Sequence, residues 1–159
     1  MRRLVIIGIG TGNPEHVTIQ AINALNRVDA VFIPRKGADK NGLAELRREI
    51  CARYLTNAAT RLIEFDLPVR DAGEPSYRKG VDEWHAAVAA TYARLLAEHT
   101  EEGASVALLV WGDPSLYDST LRIVERLNED TGTTVACEVI PGIASPQALA
   151  ARHGIALNS

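Results

Sequence analysis

The chain has 159 residues, of which 47% are hydrophobic and 23% charged, a composition typical of one soluble globular domain and not of a disordered chain. The formal net charge is −3, and basic residues gather only in the short stretches RKGADK and LRRE, which excludes a nucleic-acid partner. No apolar run approaches the roughly 20 residues of a membrane span. The apolar run in MRRLVIIGIG is too short for a signal peptide. We therefore expect a cytoplasmic protein with a small-molecule ligand.

Apolar runs and amphipathic segments alternate along the whole chain, and each strand-like run is apolar on both faces, as buried parallel strands are. The predicted elements, in chain order, are strand Arg3–Ile9, helix Pro14–Arg27, strand Asp29–Ile33, helix Leu43–Thr56, strand Arg61–Leu67, helix Tyr77–His99, strand Val106–Trp111, helix Ser115–Asp130, strand Thr134–Ile140 and a helix from about Ser145. Crossovers long enough for a helix predict right-handed connections. The fold class is therefore α/β, a three-layer αβα sandwich around a mostly parallel five-stranded sheet.

The first strand runs into a glycine-rich loop, GIGTG, which precedes a helix. Dinucleotide-binding folds have glycines in this place, but their spacing is G-x-G-x-x-G and not the G-x-G-x-G of Gly8, Gly10 and Gly12. They also need an acid at the end of the second strand, where this chain has Ile33 and Pro34. A nicotinamide-dependent oxidoreductase domain is therefore the weaker alternative. The glycines can also serve only to turn the chain tightly.

Two further loops follow strands at the same edge of the sheet, because the carboxyl ends of parallel strands lie together. In WGDPSLYDST, Asp113 is predicted to cap the next helix, with Tyr117 in its first turn and Trp111 at the end of the strand. In IPGIASPQ, Ser145 is predicted to cap a helix that begins at Pro146. The three loops together predict a ligand-binding crevice. The stretch LRREICAR, in contrast, is expected to be a solvated helix face.

The stretches GIGTGNPEHVT, GDPSLYDST and IPGIAS, in this order and spacing, resemble the three motifs of the tetrapyrrole methyltransferases. Thr11 stands where that family commonly has proline, and Ala144 where threonine is frequent. The resemblance implies S-adenosylmethionine as cofactor, held largely by backbone groups between two domains, and a tetrapyrrole as substrate. Carried over to this sequence, the cofactor-binding residues are Gly10, Thr11, Trp111, Gly112, Asp113, Leu116, Tyr117, Ala144 and Ser145.

Within the family, FIPRKGADK, FDLPVRD and VWGDPSLYDSTLRI are most similar to the member that methylates precorrin-5 at ring carbon 1 and releases acetate, a step of aerobic cobalamin synthesis. Methyl transfer from a sulfonium is an in-line displacement, so the protein aligns the reactants and excludes water, and we assign no catalytic residue. Arg35, Lys36 and Arg70 are candidates for pairing with the carboxylates of the substrate, although solvated surface charge explains each of them as well. The four histidines share no ligand spacing, so we expect no metal site.

Proteins of the family continue into a further domain. Residues 1–159 therefore correspond to the N-terminal tetrapyrrole methylase domain, and the resemblance implies that the family's C-terminal domain is absent from this chain. On that basis we expect the 159-residue chain to bind the cofactor weakly and not to turn over; measurable methylation of precorrin-5 by it would contradict this. A surface that faces a second domain favours self-association, such as a homodimer, when it is open. A non-catalytic binding module is the remaining alternative function.

Overall fold

The computed structural model describes residues 1–35 and 42–158. It contains five strands, five α-helices and one short 3-10 helix in these ranges. The elements, in chain order, are β1 (Arg2–Gly8), the 3-10 helix Pro14–His16, α1 (Ile19–Leu25), β2 (Ala30–Pro34), α2 (Leu43–Tyr54), β3 (Arg61–Phe65), α3 (Tyr77–His99), β4 (Ser105–Val110), α4 (Thr120–Asp130), β5 (Val135–Ile140) and α5 (Ser145–His153).

The five strands form one sheet in the order β3-β2-β4-β1-β5, and every pair of neighbours is parallel. β1 lies between β4 and β5, with Ile7 opposite Leu109 on one side and Ile140 on the other. This topology confirms the predicted parallel five-stranded sheet. It also brings the loops that follow β1, β4 and β5 next to one another at the carboxyl edge of the sheet.

The side chains of the central strands alternate between two apolar cores, one on each face of the sheet. Leu4 and Ile6 of β1 pack in the core formed with α3 and α4, whereas Val5 and Ile7 pack in the core formed with α1 and α2. All four side chains are essentially inaccessible to water. Burial of each such side chain stabilises the fold by about 1.5–3 kcal/mol, and the two cores confirm the three-layer αβα sandwich.

The sequence predicts strands that are buried on both faces, and the edge strand β3 does not follow this prediction. It pairs only with β2, and Leu62 and Glu64 are exposed while Phe65 is buried. The outer face of an edge strand has no second sheet neighbour, so a half-exposed pattern is stable there. The strand also ends at Phe65, two residues before the predicted end at Leu67.

The helix predicted over Pro14–Arg27 is two elements. Asn13 accepts a hydrogen bond from Glu15 N at 2.9 Å and caps only the 3-10 helix. The α-helix starts after Thr18, whose hydroxyl accepts from Ala21 N at 3.0 Å.

The predicted helix Tyr77–His99 is confirmed at both ends. In the described ranges, no helix combines the length and the apolarity that crossing a bilayer requires.

Candidate functional site

The glycine-rich loop after β1 is hydrogen-bonded to the loop after β4. Gly10 and Gly112 form an isolated antiparallel bridge, in which Gly112 N donates to Gly10 O at 2.8 Å and Gly10 N donates to Gly112 O at 3.4 Å. Both glycines have a positive φ, +78° and +64°, a backbone conformation that glycine adopts without strain. Two of the three predicted motifs are therefore joined through their backbones.

The third motif meets the other two at a point where no side chain fits. A Cβ atom on Gly8 would lie 2.6 Å from Gly112 O, and one on Gly142 would lie 2.2 Å from the same oxygen. We call Gly8, Gly112 and Gly142 the glycine junction. Because the atoms in contact are all backbone atoms, Gly8 and Gly142 are required for close packing of the loops, whereas a Cβ atom on Gly112 would find its nearest neighbour at 3.6 Å and glycine is favoured there by the positive φ.

The carboxylate of Asp113 accepts hydrogen bonds from two of the loops at the glycine junction. Oδ1 accepts a hydrogen bond from Gly142 N at 2.9 Å, and Oδ2 accepts from Ser115 N at 2.9 Å and from the Ser115 hydroxyl. Burial of the side chain, which is 8% exposed, raises the pKa of Asp113, but the three hydrogen bonds outweigh burial and hold the pKa below its usual value. The carboxylate is therefore ionised and joins the loop after β4 to the loop after β5.

The prediction that Asp113 caps a helix is wrong. After Asp113 the chain forms a turn, with Leu116 N donating to Asp113 O at 3.1 Å, and α4 begins only at Thr120. The Asp118 carboxylate accepts from Thr120 N at 2.7 Å at the start of this helix. Tyr117, predicted in the first turn of this helix, thus precedes it. Tyr117 has a φ of +60°, and its side chain is 87% exposed.

Ser145 is also not the cap that the sequence predicts. α5 begins at Ser145, and the capping residue is Ala144, which has no side chain able to accept a hydrogen bond. The Oε1 atom of Gln147 instead accepts from Ala144 N at 2.7 Å. Gln147 thereby satisfies the backbone group in front of the first turn, a role that glutamine at this helical position often has.

A groove of about 1140 Å³ lies along α5, and we call it the α5 groove. Thr11, Trp111 and Ser145 of the predicted cofactor-binding set line it together. Trp111 is 37% exposed, so part of its indole is available to a ligand. Of the other six predicted residues, none lines this groove in the described part of the chain: Gly10, Gly112, Asp113 and Ala144 form the loops behind it, and Leu116 and Tyr117 are exposed elsewhere.

A second groove of about 740 Å³ lies beyond the ends of β2 and β3, and we call it the arginine groove. Arg35 and Arg70, two of the predicted substrate-binding residues, both line it. Arg35 forms an ion pair with Asp66 at 3.2 Å. The guanidinium of Arg70 lies 5.1 Å from the centroid of the Tyr77 ring, and no carboxylate in the described ranges forms an ion pair with it. Lys36 lies outside the described residues.

Arg47 also lines the arginine groove, although the sequence predicts a solvated helix face for its stretch, LRREICAR. Its Nε atom donates to Leu109 O at 2.9 Å, so this side chain reaches from α2 to β4 and does not belong to a solvated helix face. The spacing of the sequence does indicate this position. Arg47 follows Leu43 by four residues, so the two lie on the same side of the helix, and Leu43 packs against the core formed with α2.

The three joined loops and the parallel sheet have counterparts among known proteins. The family model of the Tetrapyrrole (Corrin/Porphyrin) Methylases matches residues 3–159, and the chain belongs to this family. Its sequence is 56% identical to the precorrin-6A synthase [deacetylating] of Sinorhizobium sp over 158 residues, which are 99% of this chain and 60% of that protein. It is 30% identical to the precorrin-2 C(20)-methyltransferase of Sinorhizobium sp, over 89% of this chain and 54% of that protein.

Solved structures agree with this assignment. A cobalamin synthesis related protein (CobF) of Corynebacterium diphtheriae matches with a TM-score of 0.76 and 37% identity, over 100% of this chain and 60% of that one. The cobalt precorrin-4 methyltransferase CbiF matches with a TM-score of 0.60 and 21% identity over 99% of this chain and 52% of that one, which supports the fold. The chain thus spans 60% of the length of the Sinorhizobium precorrin-6A synthase and of the Corynebacterium protein.

Proposed function

We propose that this chain forms one wall of the active site of an S-adenosylmethionine-dependent methyltransferase that methylates precorrin-5 at ring carbon 1 and releases acetate. The observation that carries this proposal is the meeting of three family motifs at one sheet edge, where residues of all three loops line the α5 groove. Membership of the family and the similarity to precorrin-6A synthase support the choice of reaction. A nicotinamide-binding role has no support, because β2 ends in Pro34 and is followed by Arg35, not by an acid.

The α5 groove suits a cofactor that is part apolar and part polar. Trp111 offers an aromatic surface, while Thr11 and Ser145 offer hydroxyl groups, so these three residues would hold S-adenosylmethionine. The bound cofactor supplies an electrophilic methyl group. Asp113, Gly112 and the other loop residues act behind this surface, because their hydrogen bonds to neighbouring loops fix where the groove lies.

The arginine groove suits the carboxylate side chains of a tetrapyrrole. Arginine pairs with carboxylates through its planar guanidinium, often with two parallel hydrogen bonds. Arg70 is the stronger candidate because its guanidinium stacks on Tyr77 and makes no ion pair in the described ranges, whereas Arg35 must leave Asp66 to bind a substrate. Binding through Arg70 would fix one edge of the macrocycle at this groove.

Replacing Arg70 with glutamine is expected to weaken the binding of uroporphyrin, a tetrapyrrole with carboxylate side chains, by roughly 10- to 100-fold, the usual effect of one charge-assisted hydrogen bond. The quenching of tryptophan fluorescence measures this binding. Arg53→Gln is the matched control, since Arg53 is an exposed arginine of α2 that lines neither groove. Equal weakening in the two variants would show that Arg70 contributes only net charge.

S-adenosylhomocysteine is expected to raise the Tm of the chain, and NAD is expected to leave it unchanged. A ligand at 100 times its dissociation constant adds about 2.7 kcal/mol to the free energy of unfolding, which a thermal-shift titration detects. Trp111→Ala should remove most of this shift, whereas Tyr77→Ala, which changes an exposed aromatic residue outside the α5 groove, should preserve it. A shift with NAD alone would contradict the proposed function.

A further inference from the structure

His16 lines the α5 groove beside Thr11 and Trp111 and has an unsatisfied ring nitrogen. Its Nδ1 atom is buried and has no hydrogen-bond partner, the one side-chain nitrogen or oxygen in the described ranges of which this is true. Buried polar atoms without partners cost free energy and are few in native structures. Neither the predicted site residues nor the packing of the loops accounts for this atom.

The position of His16 is fixed by the turn that carries it. Its backbone N donates to Asn13 O at 2.9 Å, and the hydroxyl of Tyr54 on α2 donates to Pro14 O at 2.8 Å. Gly10 makes room for the side chain, because a Cβ atom on Gly10 would lie 3.1 Å from His16 Cβ. The glycine-rich loop and α2 thus hold the imidazole at the wall of the groove.

The environment of Nδ1 decides which ring nitrogen carries the proton. A neutral imidazole has one N–H, and the partner of one nitrogen sets the state of the other. A proton on Nδ1 would be a buried donor without an acceptor, the kind of orphan that native structures avoid most. We therefore place the proton on Nε2, which is not among the buried side-chain atoms without a partner in the described ranges, and His16 itself lines the groove. His16 consequently presents a hydrogen-bond donor to whatever occupies the groove.

The charge of the groove indicates what this donor binds. Among the described residues that line it, none is an aspartate or glutamate, and the permanently charged one is Arg152. An anionic group is therefore favoured over a cationic one next to His16. In S-adenosylmethionine the one anionic group is the carboxylate of the amino-acid part. We propose that His16 binds this carboxylate through Nε2–H. This role rests on the proposed function and adds a residue to its cofactor site.

Two variants separate this binding role from a structural one. His16→Leu has a similar volume, removes the donor and also removes the unpaired Nδ1, so its Tm without ligand should equal or exceed that of the wild type. Its affinity for S-adenosylhomocysteine should fall by roughly 10- to 100-fold. Its affinity for 5′-methylthioadenosine, which lacks the amino-acid part, should not change. His16→Gln places an amide N–H near the position of Nε2 and should retain most of the affinity for S-adenosylhomocysteine.

Calorimetric titration of the wild type and both variants with the two ligands measures these differences, and ¹⁵N NMR of the wild-type ring nitrogens identifies the tautomer. An Nδ1–H tautomer, or equal losses for both ligands, would overturn the role of His16. If His16→Leu does not fold, the wild-type NMR signals and the His16→Gln variant still test the role of His16. Loss of S-adenosylhomocysteine binding in His16→Gln would also overturn that role. Failure of the proposed function looks different: the wild type would then bind neither ligand, even at millimolar concentration.

Discussion

Replacing Gly142 with alanine is expected to lower the free energy of unfolding by about 3 kcal/mol or more, at the upper end of the usual cost of overpacking. The new Cβ would lie 2.2 Å from Gly112 O and 2.8 Å from the carbonyl carbon of Gly8. These are backbone atoms of the other two loops, so no side chain can rotate to relieve the clash. Urea unfolding followed by tryptophan fluorescence measures the loss.

Gly80→Ala is the matched control for this substitution. Gly80 lies inside α3 and has no positive φ, and a Cβ there would make an ordinary contact of 3.5 Å with Glu74. Alanine is favoured over glycine within a helix, so this variant is expected to gain about 0.5–1 kcal/mol. A Gly142→Ala variant as stable as the wild type would mean that the three loops do not meet through the glycine junction.

The sheet could be predicted from the sequence because its central strands are continuous apolar runs. β1 and β4 are each buried over most of their length, and the order of strands and helices leaves few arrangements other than a parallel sheet. The burial of the edge strand β3 is harder to predict, because Leu62 and Glu64 face solvent and the apolar pattern does not distinguish the two faces. The starts of α2 and α3 follow from the sequence, whereas α4 starts later than predicted because Asp113 uses its side chain to bind another loop.

The candidate site could be located from its motifs, but its contacts could not. Three glycine-containing loops at strand ends point to one crevice, and the structure brings them together. That Asp113 binds Gly142, which lies 29 residues away, depends on the tertiary packing of two strands and has no local signal. The unpaired Nδ1 of His16 is likewise a property of the folded loop. Spacing therefore indicates where a ligand binds, while hydrogen-bond partners distinguish the residues that can reach it.

Asp113→Asn is expected to lower the free energy of unfolding at pH 7 by about 2 kcal/mol, the scale of hydrogen bonds to a charged group. Asparagine has one acceptor oxygen, and its NH₂ group would face either Gly142 N or the groups of Ser115 that now donate to the carboxylate. Asp130→Asn removes the same charge from an exposed ion pair with Arg126 and should cost less than about 1 kcal/mol. Urea unfolding of the two variants and the wild type gives the comparison.

The pH dependence of the Asp113→Asn effect identifies its cause. The folded-state pKa of Asp113 is lower than the unfolded value of about 3.9, so its contribution to stability is fully present above that value and is lost as the pH falls through the folded-state pKa. The difference in stability between wild type and variant should therefore be constant from about pH 5 to 7 and shrink below about pH 4. A difference that stays constant down to about pH 3 would show that the shape of the side chain, and not the ionised carboxylate, holds the loops after β4 and β5 together.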